Sequence, residues 1–93
     1  MMELNREPLK SIIGHYGINA QLTMCLEEMS ELAKEICKSI RGVNNRDELI
    51  EEVADVIVTI EQVKMIFNFK DDEIEDIINT KIQRTLYRMA NGK

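Results

Sequence analysis

The sequence predicts an all-α fold in one domain spanning residues 1–93. Three observations carry this. Breakpoints are scarce: one proline and four glycines in 93 residues, and these are the strongest local punctuators of a chain. Apolar residues recur at steps of three and four, the period of a helix with one buried face. Acidic residues follow the expected breaks, where the positive end of a helix dipole favours them.

Taken in order, the chain reads as a four-helix bundle. A short first helix is expected from about Pro8 to Ile13, with Pro8 tolerated in its first turn and Gly14 and Gly17 ending it on either side of His15-Tyr16. Asn19 is the expected cap of the second helix. Leu22, Cys25, Leu26, Met29, Leu32, Ala33, Ile36 and Ile40 then form one apolar stripe, Lys38 and Arg41 suit its negative end, and Gly42 is the expected left-handed stop. The third helix starts near Arg46 with Asn45 as its expected cap, and Asp47 and Glu48 lie in its first turn. Val53, Ala54, Val56, Ile57, Val58, Ile60, Val63, Ile66 and Phe67 nearly encircle it, and a helix apolar all round is buried all round. A chain this small achieves that only against a second subunit, so the bundle is expected to be completed by oligomerisation as a dimer or higher oligomer. Asn68-Phe69-Lys70 breaks the third helix from the fourth. That helix opens on Asp71-Asp72-Glu73 and carries Ile74, Ile77, Ile78, Ile82, Leu86 and Met89 on one face.

Composition excludes several classes. A net charge of −5 opposes general binding of a nucleic-acid polymer, which needs a basic face. No run of about 18 apolar residues suits a membrane span, and Met1-Met2-Glu3-Leu4-Asn5 lacks the basic and apolar regions of a signal peptide. Cys25 and Cys37 sit twelve residues apart on one expected helix, too far along its axis to bridge. Both read as reduced, core-facing thiols of a cytoplasmic protein. One histidine, His15, and no Cys-x-x-Cys make a zinc site a poor fit.

The chemistry concentrates in Glu27-Glu28-Met29-Ser30-Glu31 and its echo Glu51-Glu52-Val53-Ala54-Asp55. Residues three apart share a helix face, so Glu28 points with Glu31 and Glu52 with Asp55. On a helical wheel Glu52 falls between Thr59 and Val56, Asp55 lies at the margin of the same stripe, and Glu28 sits beside Leu32. Glu31 follows just outside. Solvated acids would instead lie opposite the apolar face. Carboxylates at a core edge are costly unless paired or metal-bound, and packed together they raise one another's pKa. A hard divalent cation relieves both effects, and Mg²⁺ takes carboxylates while keeping waters and phosphate oxygens as its other ligands. Inward-facing Glu residues on adjacent helices build such sites. Ordinary surface acids are the plain alternative for either pair alone; two matching pairs at the core edge favour the metal.

Glu-Glu-x-x-Glu, about twenty residues, then Glu-x-x-Asp resembles the signature of the MazG-like all-α nucleoside triphosphate pyrophosphohydrolases. The likeness covers the second to fourth helices. It implies a helical bundle, dimeric or tetrameric assembly, dependence on Mg²⁺ with Mn²⁺ as the alternative ion, and hydrolysis of a nucleoside triphosphate to the monophosphate and pyrophosphate. By position it implies Glu28, Glu31, Glu52 and Asp55 as metal ligands and Glu27 as the acid that holds a further metal or orients the attacking water. Lys81-x-x-Arg84 resembles the basic pair that follows the acids in this family, and the wheel places Lys81 within the apolar face of the fourth helix, where it needs a partner.

The remaining candidates are weaker. Arg88 continues the basic series, and snorkelling to water is the plain reading for all three cations. Gln21 and Asn79 are polar groups able to read a base edge or sugar. His15 and Tyr16 either stack on a base or cover the end of the core, the second being commoner. The six methionines read as core filler, and no Gly-rich phosphate loop is present. Two other functions fit the pattern: a phosphoribosyl-ATP pyrophosphohydrolase, and a non-catalytic helical interaction module.

Overall fold

Helices in this chain stop at or next to residues of positive φ, and two of the four begin where a side chain accepts a free backbone N–H. The computed structural model describes residues 3–92, and among these the elements are α1 (Arg6–Tyr16), α2 (Ile18–Ile40), α3 (Arg46–Phe67) and α4 (Asp71–Ala90), with no strand. The all-α expectation therefore holds.

Helix α1 is longer at both ends than the sequence suggested. Asn5 caps it by accepting the Glu7 N–H at 3.1 Å, and Gly14 lies inside it. A single glycine in a helix costs only about 1 kcal/mol, less than a break would. The real stop is Gly17, at φ 98°, a backbone that side-chain-bearing residues rarely adopt. Helix α2 restarts immediately after Gly17, so Asn19 lies within the first turn and is not its cap.

The end of α2 follows the expectation for Gly42 in full. The Gly42 N–H donates to the Ser39 carbonyl at 3.0 Å and the Val43 N–H to Lys38 at 3.1 Å, with Gly42 at φ 89°. That is a Schellman stop. Asn68 does the same for α3 at φ 57°, the Phe69 N–H reaching the Lys64 carbonyl at 2.9 Å. Asn tolerates this conformation better than most residues. At the start of α4 the Glu73 carboxylate accepts the Lys70 N–H at 2.8 Å, half of a capping box.

Asn45 stands just before α3 but its side chain does not cap it. Its amide instead donates to the Glu35 carbonyl and the Glu35 carboxylate, both at 2.9 Å. Both residues are buried. Lys38 adds a bond to the same carboxylate at 3.2 Å. The Asn45 amide and then the Lys38 ammonium hold the Glu35 carboxyl below its usual pKa. A buried charge is tolerated here because it is paired and hydrogen-bonded.

Helices α2 and α3 form an antiparallel hairpin, with α1 packed against both. Cross-helix partners step in opposite directions along the two: Gln21 with Gln62, Glu28 with Asp55, Glu35 with Asn45. The first pair is a buried amide–amide bond of 3.0 Å. The hairpin is thus pinned by polar contacts near both ends.

Apolar burial is sparse. Among the described residues only Leu9 and Cys25 are buried hydrophobic side chains. Cys37 is exposed, against the expectation that both thiols face the core. Tyr16 is 65% exposed and meets His15 edge-to-face at 4.6 Å, so the pair does not cover the core end. Helix α3 is not buried all round within one chain: Ile50, Val53, Ile60 and Phe67 are exposed.

Helix α4 stands apart. It has no buried residue and makes no close backbone approach to the other helices. Its start is tied to α3 by Lys64, which pairs with Asp71 at 2.6 Å and Glu61 at 2.9 Å; Glu61 also pairs with Arg6 of α1 at 2.6 Å.

Replacing Asn45 with Ala removes both of its bonds and leaves the Glu35 carbonyl and carboxylate short of donors. The expected loss is about 1–3 kcal/mol of unfolding free energy, read from urea denaturation as a lower midpoint at unchanged slope.

Candidate metal centre

The register of the α2–α3 hairpin decides which acids meet. Glu28 projects from α2 level with Glu52 and Asp55, which lie three residues apart on one face of α3. Each of the three offers a carboxylate oxygen, and these oxygens all lie within 4.8 Å of one another. Glu28 and Glu52 are half-buried and Asp55 is exposed, so the cluster opens to solvent on the Asp55 side.

The electrostatics are those of an uncompensated site. Glu28 is pushed up to about 7 from 4.5, first by desolvation and then by the Asp55 and Glu52 carboxyls beside it. Glu52 is raised as well, by desolvation and then by Asp55 and Glu31, with Glu35 adding to it. No Lys or Arg forms an ion pair with the cluster among the described residues. One oxygen of Glu52, Oε2, is buried without any hydrogen-bond partner. A buried acceptor left unmade costs more than an average hydrogen bond contributes.

A small hard cation answers each of these features. Mg²⁺ takes carboxylate oxygens at about 2.1 Å, and three carboxylate oxygens within 4.8 Å of one another are close enough to be offered to a single ion. The free Oε2 lone pairs supply a ligand, and two positive charges offset the mutual repulsion of the three acids. The open side leaves room for waters or an anionic ligand on the metal.

Three of the four expected ligands, Glu28, Glu52 and Asp55, are thus brought together. Glu31 is exposed and outside the trio, although its charge reaches Glu52. Glu27 is exposed at the next position from Glu28 and makes no side-chain hydrogen bond or ion pair among the described residues. Gln21 is not placed to read a substrate: it is buried and bonded to Gln62. Asn79, Lys81 and Arg84 are exposed on α4, with no ion pair to either cation. The partner expected for Lys81 is therefore not found within the described chain.

Sequence reasoning missed Glu35. It lies seven residues after Glu28 and four after Glu31, the same helical face, so spacing alone could have found it. It also missed Gln62, 1% exposed and with its Nε2 unpaired; a lone Gln within an apolar run gives no sign of what it will meet.

Comparison of the chain with protein-family models, curated proteins and solved structures gives no match.

A carboxyl whose folded pKa lies above its unfolded value contributes stability at low pH that is lost as pH rises through the folded value. For Glu28 that window runs from about 4.5 to about 7. Metal-free protein is therefore expected to melt at a higher temperature near pH 5.5 than near pH 8, measured by circular dichroism. Saturating Mg²⁺ should remove most of this difference by stabilising the pH 8 sample.

Proposed function

We propose that the protein is a Mg²⁺-dependent hydrolase that cleaves a nucleoside triphosphate to the monophosphate and pyrophosphate. The observation that carries the reading is the convergence of Glu28, Glu52 and Asp55 from two helices, with one buried oxygen of Glu52 unsatisfied. Ordinary surface acids would have no reason to meet where desolvation is costly.

In this reading Glu28, Glu52 and Asp55 would hold Mg²⁺, or Mn²⁺ in its place, and Glu31 at the rim would hold an additional ion. The bound ion supplies charge neutralisation for the phosphate oxygens and lowers the pKa of water. The chain's residues do the rest by placement. Phosphoryl chemistry asks for positioning and electrostatics more than covalent help. The exposed side of the cluster, at Asp55, admits the phosphate chain. Glu27 orients the attacking water, whose proton passes to the surrounding solvent. The water oxygen bonds to the α-phosphorus, the bond from that phosphorus to the bridging oxygen breaks, and pyrophosphate leaves with the electron pair.

The resemblance of Glu27-Glu28-x-x-Glu31 and Glu52-x-x-Asp55 to the MazG-like pyrophosphohydrolases supports the same reaction and the same roles. Cleavage of phosphoribosyl-ATP would use the same metal chemistry on another triphosphate. Lys81 and Arg84 are the cations able to meet phosphate oxygens, provided that α4 is brought to the cluster.

Glu52→Gln separates this reading from an acidic surface without chemistry. The variant is expected to lose at least about 100-fold in turnover, the upper end of what loss of an outer-shell partner of a metal costs, and to bind Mn²⁺ at least about tenfold more weakly. Its metal-free form should melt at a higher temperature than the wild type, because a repelling charge is gone. Hydrolysis in ¹⁸O-labelled water should place the label in the monophosphate. Wild-type protein that binds neither Mg²⁺ nor Mn²⁺, or label found only in pyrophosphate, would contradict the mechanism.

A further inference from the structure

Helix α4 starts where four charges are linked in a row. The Glu61 carboxylate takes the Arg6 guanidinium on Oε2 at 2.6 Å and the Lys64 ammonium on Oε1 at 2.9 Å. Lys64 then reaches Oδ1 of Asp71, the first residue of α4, at 2.6 Å. The row Arg6–Glu61–Lys64–Asp71 alternates in sign and runs from α1 through α3 to α4. The Lys64 and Glu61 side chains are 13% and 15% exposed, so the ammonium has little room to move. Asp71 and then Glu61 hold the Lys64 pKa above the usual lysine value, and Lys64 holds Asp71 below the usual carboxylate value. Both partners are therefore charged near neutral pH.

Lys64 holds the α3–α4 connection on both sides. Its backbone carbonyl accepts the Phe69 N–H at 2.9 Å, which closes α3, and its ammonium grips Asp71. The Lys70 N–H is bonded to the Glu73 carboxylate at 2.8 Å and so moves with α4. Between these two hydrogen-bonded ends only the link from Phe69 to Lys70 is left to bend. Among the described residues Lys64–Asp71 is the only ion pair that reaches α4, and no close backbone approach of α4 to another helix adds to it.

The angle fixed in this way keeps apolar surfaces apart. A cleft of about 300 Å³ separates Val56, Ile57 and Ile60 of α3 from Ile74 and Ile78 of α4, and Lys64 and Asp71 line the same cleft. Further along α4, Ile82 and Leu86 are each 50% exposed. The chain as a whole is open, with a radius of gyration of 16.2 Å against about 12 Å for a compact domain of this length. Apolar surfaces that face each other across water are drawn together. An ion pair where the helices meet opposes this, because closing the cleft would strip water from its charges.

We propose that the Lys64–Asp71 pair is a latch that holds α4 as an open arm. When ionic strength or the loss of either charge releases it, α4 swings about the Phe69–Lys70 link and closes onto the Val56–Ile60 face of its own α3. Salt screens the pair and leaves the apolar attraction in place, so the arm closes as ionic strength rises. The latch lies outside the acidic cluster, and its release needs neither metal nor substrate.

The test is a distance between two spin labels, read by pulsed electron paramagnetic resonance. One label sits on Cys37, which is exposed on α2 near the start of α3, the end toward which the tip of a closing α4 moves. The other sits on Tyr87→Cys, with Cys25→Ser to remove the third thiol. Co-refolding with an excess of unlabelled chain confines the signal to pairs within one chain. A long distance is expected to dominate at low ionic strength. Salt at about 1 M, where the screening length is about 3 Å, is expected to raise the short-distance population about two- to fivefold, the range open to an exposed ion pair. Asp71→Asn and Lys64→Met should give that rise at low salt and respond little to added salt. Asp71 is 65% exposed, so its variant reads the latch without disturbing buried packing. Asp72→Asn removes the same charge from the same helical turn without touching Lys64, and should behave as the wild type. A distance that does not shorten in salt would overturn the inference. So would a distribution that only broadens, or an equal response to Asp72→Asn, which would assign the effect to the charge at the helix N-terminus.

Discussion

Three carboxylates held at the edge of a desolvated seam are the constraint on which the rest of this molecule turns. Like charges this close favour separation, and the hairpin of α2 and α3 must resist it. It does so with polar clamps on both sides of the acids. On one side Gln21 and Gln62 meet in a buried amide pair; on the other Glu35 is gripped by Asn45 and Lys38. Each clamp demands a particular register, because a shift of one residue would turn its members about 100° around the helix. A greasy seam of equal area would bind as strongly yet slide more easily, since apolar contacts are non-directional.

That choice leaves the single chain short of hydrophobic burial. Leu9 and Cys25 alone are buried apolar side chains among the described residues, while isoleucines and leucines line the outer faces of α2, α3 and α4. Helix α4 shows the consequence most clearly. It is secured at its first turn by the Lys64–Asp71 pair, and over most of its length, about 30 Å for 20 residues, it rests on nothing in its own chain. The latch fixes where the arm starts.

The two halves of the acidic motif differ in how far spacing alone could read them. Glu52 and Asp55 share a helix face by local geometry, and wheel position put Glu52 between Thr59 and Val56 and Asp55 at the margin of that stripe. Glu28 joins them because its register on α2 is right, which no local pattern encodes. Glu31 has the same spacing credentials and still falls outside the trio, since a turn of helix carries it toward the rim. Gln21 looked free for substrate, and the fold spent its hydrogen bond on Gln62. Asn45 looked like a helix cap and became an interhelical clamp.

Local rules set the number of helices, their polarity of charge and most of their stops, because caps, glycine and helix period act over a few residues. Gly42 and Asn68 end their helices where the sequence placed them for that reason. Asn5 and Gly17 were decided by the same forces, but weaker signals nearby, Pro8 and Asn19, competed with them. The packing of α1, α2 and α3, the meeting of Glu28 with Glu52 and Asp55, and the detachment of α4 belong to tertiary structure alone. Each depends on which residues far apart in sequence lie level with one another, and periodicity gives the phase of a helix about its own axis but not its height against a neighbour.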